Sequence, residues 1–113
     1  MENKDIALKA AAILNEKKAK DIVVIDVAEK SSFADYLVIA TGGSERQVRS
    51  LASELSDKLA EEGIFSRSVE GRGPSGWILM DYGDIVINVF SQEQRGRYNI
   101  EKVWGDGIFL DIE

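Results

Sequence analysis

The sequence contains no cysteine and no histidine, and Pro74 is the single proline among its 113 residues. Structural zinc sites are built from Cys and His ligands, so the lack of both excludes that class of metal site. Cysteine nucleophiles and histidine general bases are excluded as well, which removes most of the familiar hydrolase arrangements. The absence of cysteine also fits a reducing compartment.

Long apolar runs are missing too, because no stretch approaches the roughly 20 residues that a membrane-spanning helix requires. The first residues of the chain are unlike a signal or transit peptide. They include Glu2 and Asp5, and Lys9 lies inside the apolar stretch. We therefore expect a cytoplasmic protein without a membrane partner.

Positive charge is the minority sign, since 14 Lys and Arg against 20 Asp and Glu give a net charge of −6. Extended contact with nucleic acid depends on Lys and Arg to neutralise phosphates, so we expect no direct DNA binding. Direct RNA binding would have to overcome the surrounding acids through four arginines, Arg67, Arg72, Arg95 and Arg97. The acidic balance favours solubility and would also suit a basic protein partner.

The remaining composition is that of one folded domain. Hydrophobic residues make up 44% of the chain and charged residues 30%, as in globular rather than disordered proteins. A chain of this length buries roughly two thirds of its unfolded surface, which suffices for a core without disulfides or metal. We predict one domain over residues 1–113, with residues 106–113 forming a tail of weak structural preference.

Hydrophobic spacing predicts helices over Asn3–Lys18, with Asn3 as its cap, and over Ser44–Glu62. Strands are predicted over DIVVIDV, YLVIAT, IFSRSVEG and the two arms of WILMDYGDIVINVF, which turn at Tyr82-Gly83. A short helical turn follows Ser91. The unit around the second helix requires a parallel strand pair, so we predict an α/β fold with a mixed sheet of about five strands packed with helices.

The stretch TGGSERQ follows a strand and opens a helix, as phosphate-binding loops do. It lacks the lysine of a P-loop, and Gly42 and Gly43 are too few for a dinucleotide fingerprint. Ser44 and Gln47 instead have the spacing of a helix capping box. We therefore interpret this loop as a cap, and a nucleotide-binding or nucleotidyltransferase-like enzyme with a degraded glycine-rich site remains the alternative.

Two acids, Asp81 and Asp84, flank the Tyr82-Gly83 turn. Paired carboxylates can share Mg²⁺, which prefers oxygen ligands. Acidic residues are much commoner in turns than in metal sites, and no third ligand is evident in the sequence. We predict neither a metal nor a cofactor.

Trp77 starts a strand directly after a loop of Gly, Pro and Ser. One interpretation is that its ring covers the edge of the sheet. The other is a partner surface, since aromatic anchors rimmed by polar groups are typical of interface hot spots. Strand alternation sorts the hairpin by face, with Trp77, Leu79 and Asp81 on one and Ile78, Met80 and Tyr82 on the other.

Three blocks of the sequence resemble the ribosomal silencing factor family, also called RsfS or Iojap-like: ADYLVIATGGSERQVRSLASEL, GWILMDYGDIVINVF and RYNIEKVWGD. The resemblance covers nearly the whole chain, from the first helix to Asp106. It implies a fold similar to that of nucleotidyltransferases without their catalytic carboxylates, and therefore a protein that is not an enzyme.

The resemblance also implies a function. Members of that family repress translation when nutrients are scarce, by binding the large ribosomal subunit through its fourteenth ribosomal protein, the uL-fourteen protein, and blocking the small subunit sterically. They also form homodimers, for which Trp77 is a candidate contact. Carried onto the matching hairpin, the partner-binding residues are Trp77 and Leu79 as apolar anchors, with Asp81 and Asp84 available to basic side chains. Tyr82 joins them if the turn projects outward, and Glu70 extends the patch.

The chain departs from the family pattern at Asn88 and Ser91, where histidine is expected in many relatives. Neither position falls on the expected anchors. Tyr98, Glu101 and Trp104 match the family, and we interpret them as packing residues of the C-terminal segment.

Overall fold

A computed structural model describes residues 2–71, 76–98, 102, 105 and 107–110 of the chain. The predicted α/β class and mixed sheet are confirmed, and the described residues form six strands rather than five because Ile108–Phe109 pairs with the first strand. The elements in chain order are α1 (Asn3–Glu16), β1 (Lys20–Asp26), β2 (Tyr36–Gly42), α2 (Glu45–Glu61), β3 (Ser68–Glu70), β4 (Trp77–Asp81), β5 (Ile85–Ser91), α3 (Gln92–Tyr98) and β6 (Ile108–Phe109).

The sheet has the order β3-β4-β5-β2-β1-β6. Strands β2 and β5 pair in parallel and the other described pairs are antiparallel. Almost every residue of β2 and β5 is buried, as expected of central strands that are covered on both faces. The parallel pairing also brings the C-terminal ends of β2 and β5 to the same end of the sheet, where α2 and α3 begin.

Helices α1 and α2 pack on the same side of the sheet, which we call the helix face. The apolar stripe predicted for α2 is buried there, and α1 contributes mainly alanines together with Leu14. Within the described residues, no helix is both long enough and apolar enough to cross a bilayer. The buried strand residues of the helix face are Val24, Val38, Ala40, Ile78, Met80, Ile85, Ile87 and Val89.

The ends of α1 differ from the sequence prediction. Glu2 occupies the N-cap position without a side-chain cap, whereas Asn3 is already helical. The Asn3 amide instead donates hydrogen bonds to the carboxylates of Asp35 and Asp84, at 3.2 Å each. The helix ends two residues early because Lys18 adopts a left-handed conformation, with φ of 70°.

The predicted cap of α2 is confirmed. Ser44 Oγ accepts a hydrogen bond from the N–H of Gln47 at 3.1 Å, and Gln47 Oε1 accepts one from the N–H of Gly43. The helix closes on Gly63, whose φ of 79° suits glycine. The N–H of Ile64 then donates to the C=O of Leu59, as in a Schellman motif.

The opposite side of the sheet, which we call the Trp77 face, is more mixed in chemistry. Two buried polar side chains, Thr41 and Asn88, lie on it. Arg95 of α3 reaches this side and donates from Nη1 to Thr41 Oγ1 at 2.8 Å. The described strand residues of the Trp77 face include Val23, Ile25, Leu37, Ile39, Thr41, Ser68, Glu70, Trp77, Leu79, Asp81, Val86, Asn88, Phe90 and Phe109.

Candidate functional site

Trp77 is a partly exposed aromatic residue held by two contacts from the neighbouring strand. Its ring stacks on Phe90, with centroids 5.0 Å apart and planes 27° apart. Its indole Nε1–H donates to Asn88 Oδ1 at 2.9 Å. Offset stacking of this kind adds to the stabilisation that ring burial provides. Together the two contacts fix the orientation of the indole on the sheet.

Leu79 follows Trp77 on the same face and is also only partly buried. The strand register places it between Glu70 of β3 and Asn88 of β5. Glu70 is exposed at the edge of the sheet. Because directly paired residues share a face, the acidic side chain of Glu70 lies beside the apolar side chain of Leu79.

Asp81 has a structural role in the turn that follows it. Its Oδ1 accepts a hydrogen bond from the N–H of Gly83 at 2.8 Å, which is an Asx turn. Gly83 has φ of 88°, a conformation that favours glycine. Asp81 also pairs with Val86 and Ser68 in the sheet, so its carboxylate lies on the Trp77 face beyond Leu79.

Tyr82 lies away from these residues, on the side of the helices. It packs against the core cluster of the helix face. Burial raises the pKa of its phenol, and the Ser56 side chain of α2 opposes the rise. Strand alternation predicts that Tyr82 and Trp77 lie on different faces of the sheet. In the structure Tyr82 is on the helix face, and the turn does not project it toward Trp77.

Asp84 lies at an acidic end of the sheet, close to the start of α1. Its carboxylate accepts the hydrogen bond from Asn3, and its backbone C=O accepts bonds from the N–H groups of Asp35 and Tyr36. Burial raises the pKa of Tyr36, and so do its acidic neighbours, Asp26, Asp35, Glu2 and Asp5. Of the six predicted contact residues, the Trp77 face therefore brings together Glu70, Trp77, Leu79 and Asp81.

The acids of the hairpin do not form a metal cluster. Among the described residues, no three Asp or Glu side chains are arranged to hold a metal ion. Asp81 is engaged by the Gly83 N–H and Asp84 by Asn3. The paired carboxylates therefore have local structural partners.

The glycine-rich loop borders a polar cavity of about 370 Å³ at the ends of β2 and β5. The Gly43 N–H, which a phosphate would need, is bonded to Gln47. Two carboxylates and no basic side chain are found in the described lining, which disfavours an anionic ligand. The lining residues are Gly43, Ser44, Glu45, Gly76, Ser91, Gln92, Glu93 and Gln94.

The residues that support Trp77 were not identified from sequence. In the sequence, Asn88 is only a departure from a family pattern, and Phe90 is only the end of a strand. A signal was present, because a polar residue inside the continuous apolar run IVINVF must find a hydrogen-bond partner when it is buried. The predicted turn at Tyr82-Gly83 would pair Trp77 with Asn88. In the structure the N–H of Tyr82 donates to the C=O of Ile85, so the turn is centred one residue later and Trp77 pairs with Phe90.

Some residues of interest lie outside the described part of the chain. Of the arginines considered for RNA binding, Arg72 is outside it, whereas Arg95 is engaged with Thr41. Glu101 and Trp104 are outside it as well, and only the backbone of Tyr98 is described. The packing role predicted for these three C-terminal residues stays a prediction.

Comparison with known proteins gives matches over the full length. A family model described as "Ribosomal silencing factor during starvation" matches residues 1–113. A protein of Bacillus subtilis named ribosomal silencing factor RsfS is 40% identical over 113 residues, which is 100% of this chain and 96% of that protein. The chloroplastic protein Iojap of Zea mays is 31% identical over 107 residues, which is 94% of this chain and 46% of that protein.

The fold is also similar to a solved structure. The crystal structure of a Chromobacterium violaceum protein superposes with a TM-score of 0.89 at 37% sequence identity, covering 93% of this chain and 88% of that one. The two relatives compared above are named as a silencing factor and as an Iojap protein rather than as enzymes.

Proposed function

The chain belongs to the ribosomal silencing factor family, and we propose that it represses translation by binding the large ribosomal subunit through the uL-fourteen ribosomal protein. In this proposal the bound protein occupies a surface that the small subunit needs, so the two subunits cannot join. It acts in the cytoplasm, needs no cofactor and catalyses no reaction. The match of the family model to the full length of the chain is the observation that carries the proposal.

The Trp77 face is the surface that we propose for this contact. Trp77 and Leu79 are large apolar side chains that stay partly exposed, and Glu70 and Asp81 lie beside them. Aromatic anchors within a polar rim are typical of interface hot spots. Ribosomal proteins are generally basic, so the two acids and the net charge of −6 favour encounter and fix register. Tyr82 supports the hairpin from the helix face, and Asp84 adds charge at its turn.

The test is a sucrose-gradient experiment with purified subunits. Added in excess, the wild-type protein is expected to shift the profile from joined ribosomes to free subunits. Trp77→Ala is expected to abolish this shift while its circular dichroism spectrum stays that of a folded protein. Phe33→Ala is the matched control, because Phe33 is an aromatic residue that is 59% exposed in the β1–β2 loop. That loop precedes Tyr36, whereas Trp77 and Phe90 lie near Thr41 at the other end of β2.

Two results would count against the proposal. An unchanged profile with folded wild-type protein in excess would contradict the repressor function. Equal losses in Trp77→Ala and Phe33→Ala would contradict the assignment to the Trp77 face. Calorimetric titration with Mg²⁺ and nucleoside triphosphates addresses the enzyme alternative, which micromolar binding would favour.

Homodimer formation is the second interaction that membership of the family leads us to propose. We place that contact on the Trp77 face as well, so that dimer formation and ribosome binding compete for the same residues. Sedimentation equilibrium is then expected to give a lower average mass for Trp77→Ala than for the wild type. Equal masses would place any dimer contact elsewhere.

A further inference from the structure

Asn88 lies below the proposed anchor and is 2% exposed. It sits in the middle of β5, in a strand that is otherwise apolar at its buried positions. A buried amide is retained only where hydrogen bonds compensate for its lost hydration. Its Oδ1 accepts the indole N–H of Trp77 at 2.9 Å. The buried amide of Asn88 thus holds the indole ring of Trp77.

The strand register explains how one strand supplies both contacts to the indole. Trp77 lies directly opposite Phe90, and Asn88 lies opposite Leu79, one diagonal step away. Diagonal neighbours on one face are within reach of long and aromatic side chains. Phe90 therefore holds the plane of the ring by stacking, and Asn88 holds its rotation within that plane by the hydrogen bond.

We propose that Asn88 is a positioning residue that holds the Trp77 indole in its binding orientation, so that the protein partner recognises Trp77 by apolar contact. This inference rests on the proposed function of the Trp77 face. An indole has one N–H and no acceptor. Because Asn88 takes that N–H, a partner gains nothing from offering a hydrogen-bond acceptor to Trp77. The complementary feature of the basic partner is an apolar patch, with its cations placed toward Glu70 and Asp81.

Pre-organisation is the physical benefit of this arrangement. A tryptophan side chain that is free to rotate loses conformational entropy when a partner immobilises it. The contacts with Asn88 and Phe90 already fix the ring in the free protein. Binding therefore does not incur this loss of conformational entropy. Removal of the Asn88 acceptor is therefore expected to weaken binding although Asn88 touches no partner.

The first experiment compares Asn88→Leu, which is similar in size and has no acceptor, with Thr41→Val. Thr41 is the matched control, since it is 1% exposed, polar and on the same face, but bonded to Arg95. Asn88→Leu is expected to lower the affinity for large subunits by a few-fold to about tenfold. Thr41→Val is expected to leave it unchanged. Trp77→Ala, measured beside them, reports whether the face binds at all.

A spectroscopic readout separates positioning from general destabilisation. The Trp77 indole N–H resonance of ¹⁵N-labelled protein is assigned by its loss in Trp77→Phe. In the wild type it is expected to exchange slowly with solvent, both free and with purified uL-fourteen protein bound, while the carbon-bound ring protons shift on binding. In Asn88→Leu the exchange is expected to become fast, and in Thr41→Val to stay slow. Apart from this assignment, the wild-type measurements do not depend on a variant.

The outcomes distinguish the two levels of the proposal. Retained binding by Trp77→Ala would overturn the proposed surface itself. Loss of binding by Trp77→Ala with wild-type affinity in folded Asn88→Leu would overturn only the positioning role. Fast exchange of the Trp77 N–H in the free wild type would overturn the hydrogen bond. A shift of the Trp77 N–H resonance on binding as large as the shifts of the ring protons, as expected when the partner supplies a new acceptor, would overturn apolar recognition.

Discussion

The two faces of the β4–β5 hairpin are built from alternate residues of the same strands, yet they differ in chemistry. On the helix face, the described strand residues of the core are all apolar and buried under α1 and α2. On the Trp77 face, the buried polar side chain of Asn88 lies beside Trp77 and Leu79, which are only partly buried, and Thr41 is a second buried polar side chain. The helix face stabilises the fold by burying apolar area, whereas the Trp77 face keeps apolar groups available to a partner.

Two adjacent residues of β4, Leu79 and Met80, show this difference. Met80 is 1% exposed and belongs to the core of the helix face. Leu79 points the other way and stays partly exposed between Glu70 and Asn88. If the two faces have different roles, substitutions at these neighbours must separate stability from binding.

The largest effect on stability is expected for Met80→Ala. Truncating a buried residue loses its transfer free energy and leaves a cavity, which together cost about 2–5 kcal/mol. The free energy of unfolding, measured by urea titration, is expected to fall by that amount. The fraction that remains folded should bind large subunits as the wild type does. A change well below 1 kcal/mol, or weakened binding by folded protein, would contradict the structural role of this face.

Leu79→Ala is expected to show the opposite pattern. Its side chain is already partly exposed, so the loss of stability should be smaller than for Met80→Ala. As a proposed anchor, Leu79 is expected to belong to the minority of interface residues whose truncation costs more than about 1 kcal/mol of binding, or several-fold in affinity. Co-sedimentation with large subunits at increasing protein concentration measures this loss. Unchanged affinity would mean that the proposed contact is confined to Trp77 or lies on another surface.

Much of this fold could be predicted from the sequence because local signals agreed with one another. The apolar stripe of α2, its Ser44 cap and the left-handed Gly63 all pointed to one helix, and the structure has it. The predicted third strand was longer than the observed β3. Ile64 closes α2 by donating to Leu59, so it does not start the strand, and contact with β4 comes later, where the N–H of Arg67 donates to the C=O of Asp81.

Other features depended on contacts between distant parts of the chain, which no local pattern reveals. Asn3 looked like a helix cap, yet its amide bonds to Asp35 and Asp84, which are far along the sequence. The two-residue strand β6 is defined by its pairing with β1 rather than by its own preference. Likewise, alternation predicted the face of Trp77, whereas its bond to Asn88 needed the register of the hairpin.

The charges beside the anchors are expected to have a smaller effect than the anchors themselves. Asp81→Asn removes a charge but keeps an oxygen acceptor for the Gly83 N–H, so the turn should persist. Glu70→Gln removes the exposed charge of β3. Each is expected to weaken subunit binding by about 0.2–1 kcal/mol, as for an exposed ion pair. Binding isotherms at low salt measure this effect.

Salt provides the control for that prediction. The Debye length falls from about 10 Å at 0.1 M to about 3 Å at 1 M, so the differences between the wild type and the two charge variants should shrink. Glu29→Gln removes an equivalent charge from the exposed β1–β2 loop and should bind as the wild type at all salt concentrations. An equal effect of Glu29→Gln would mean that subunit binding depends on the net charge of the protein and not on the position of the removed carboxylate.

The smallest effect is expected at Tyr82, on the helix face, and it appears only at high pH. Burial raises the pKa of its phenol above the ordinary value of 10.0. The fold therefore disfavours the phenolate, so the contribution of Tyr82 is complete below the unfolded pKa and is lost as pH rises through the folded one. The urea midpoint of the wild type should fall above about pH 10, and Tyr82→Phe should flatten that fall.

Tyr36→Phe is the matched comparison, because the pKa of Tyr36 is raised by the charges of Asp26 and Asp35 in addition to burial. Salt screens interactions between charges but does not remove the cost of burying a phenolate. The part of the alkaline destabilisation that Tyr36→Phe removes should therefore shrink in high salt, whereas the part that Tyr82→Phe removes should persist. If both parts shrank equally, Tyr82 would be responding to charge rather than to its packing against the helix face. The hairpin turn would then belong with the polar surface instead of with the core.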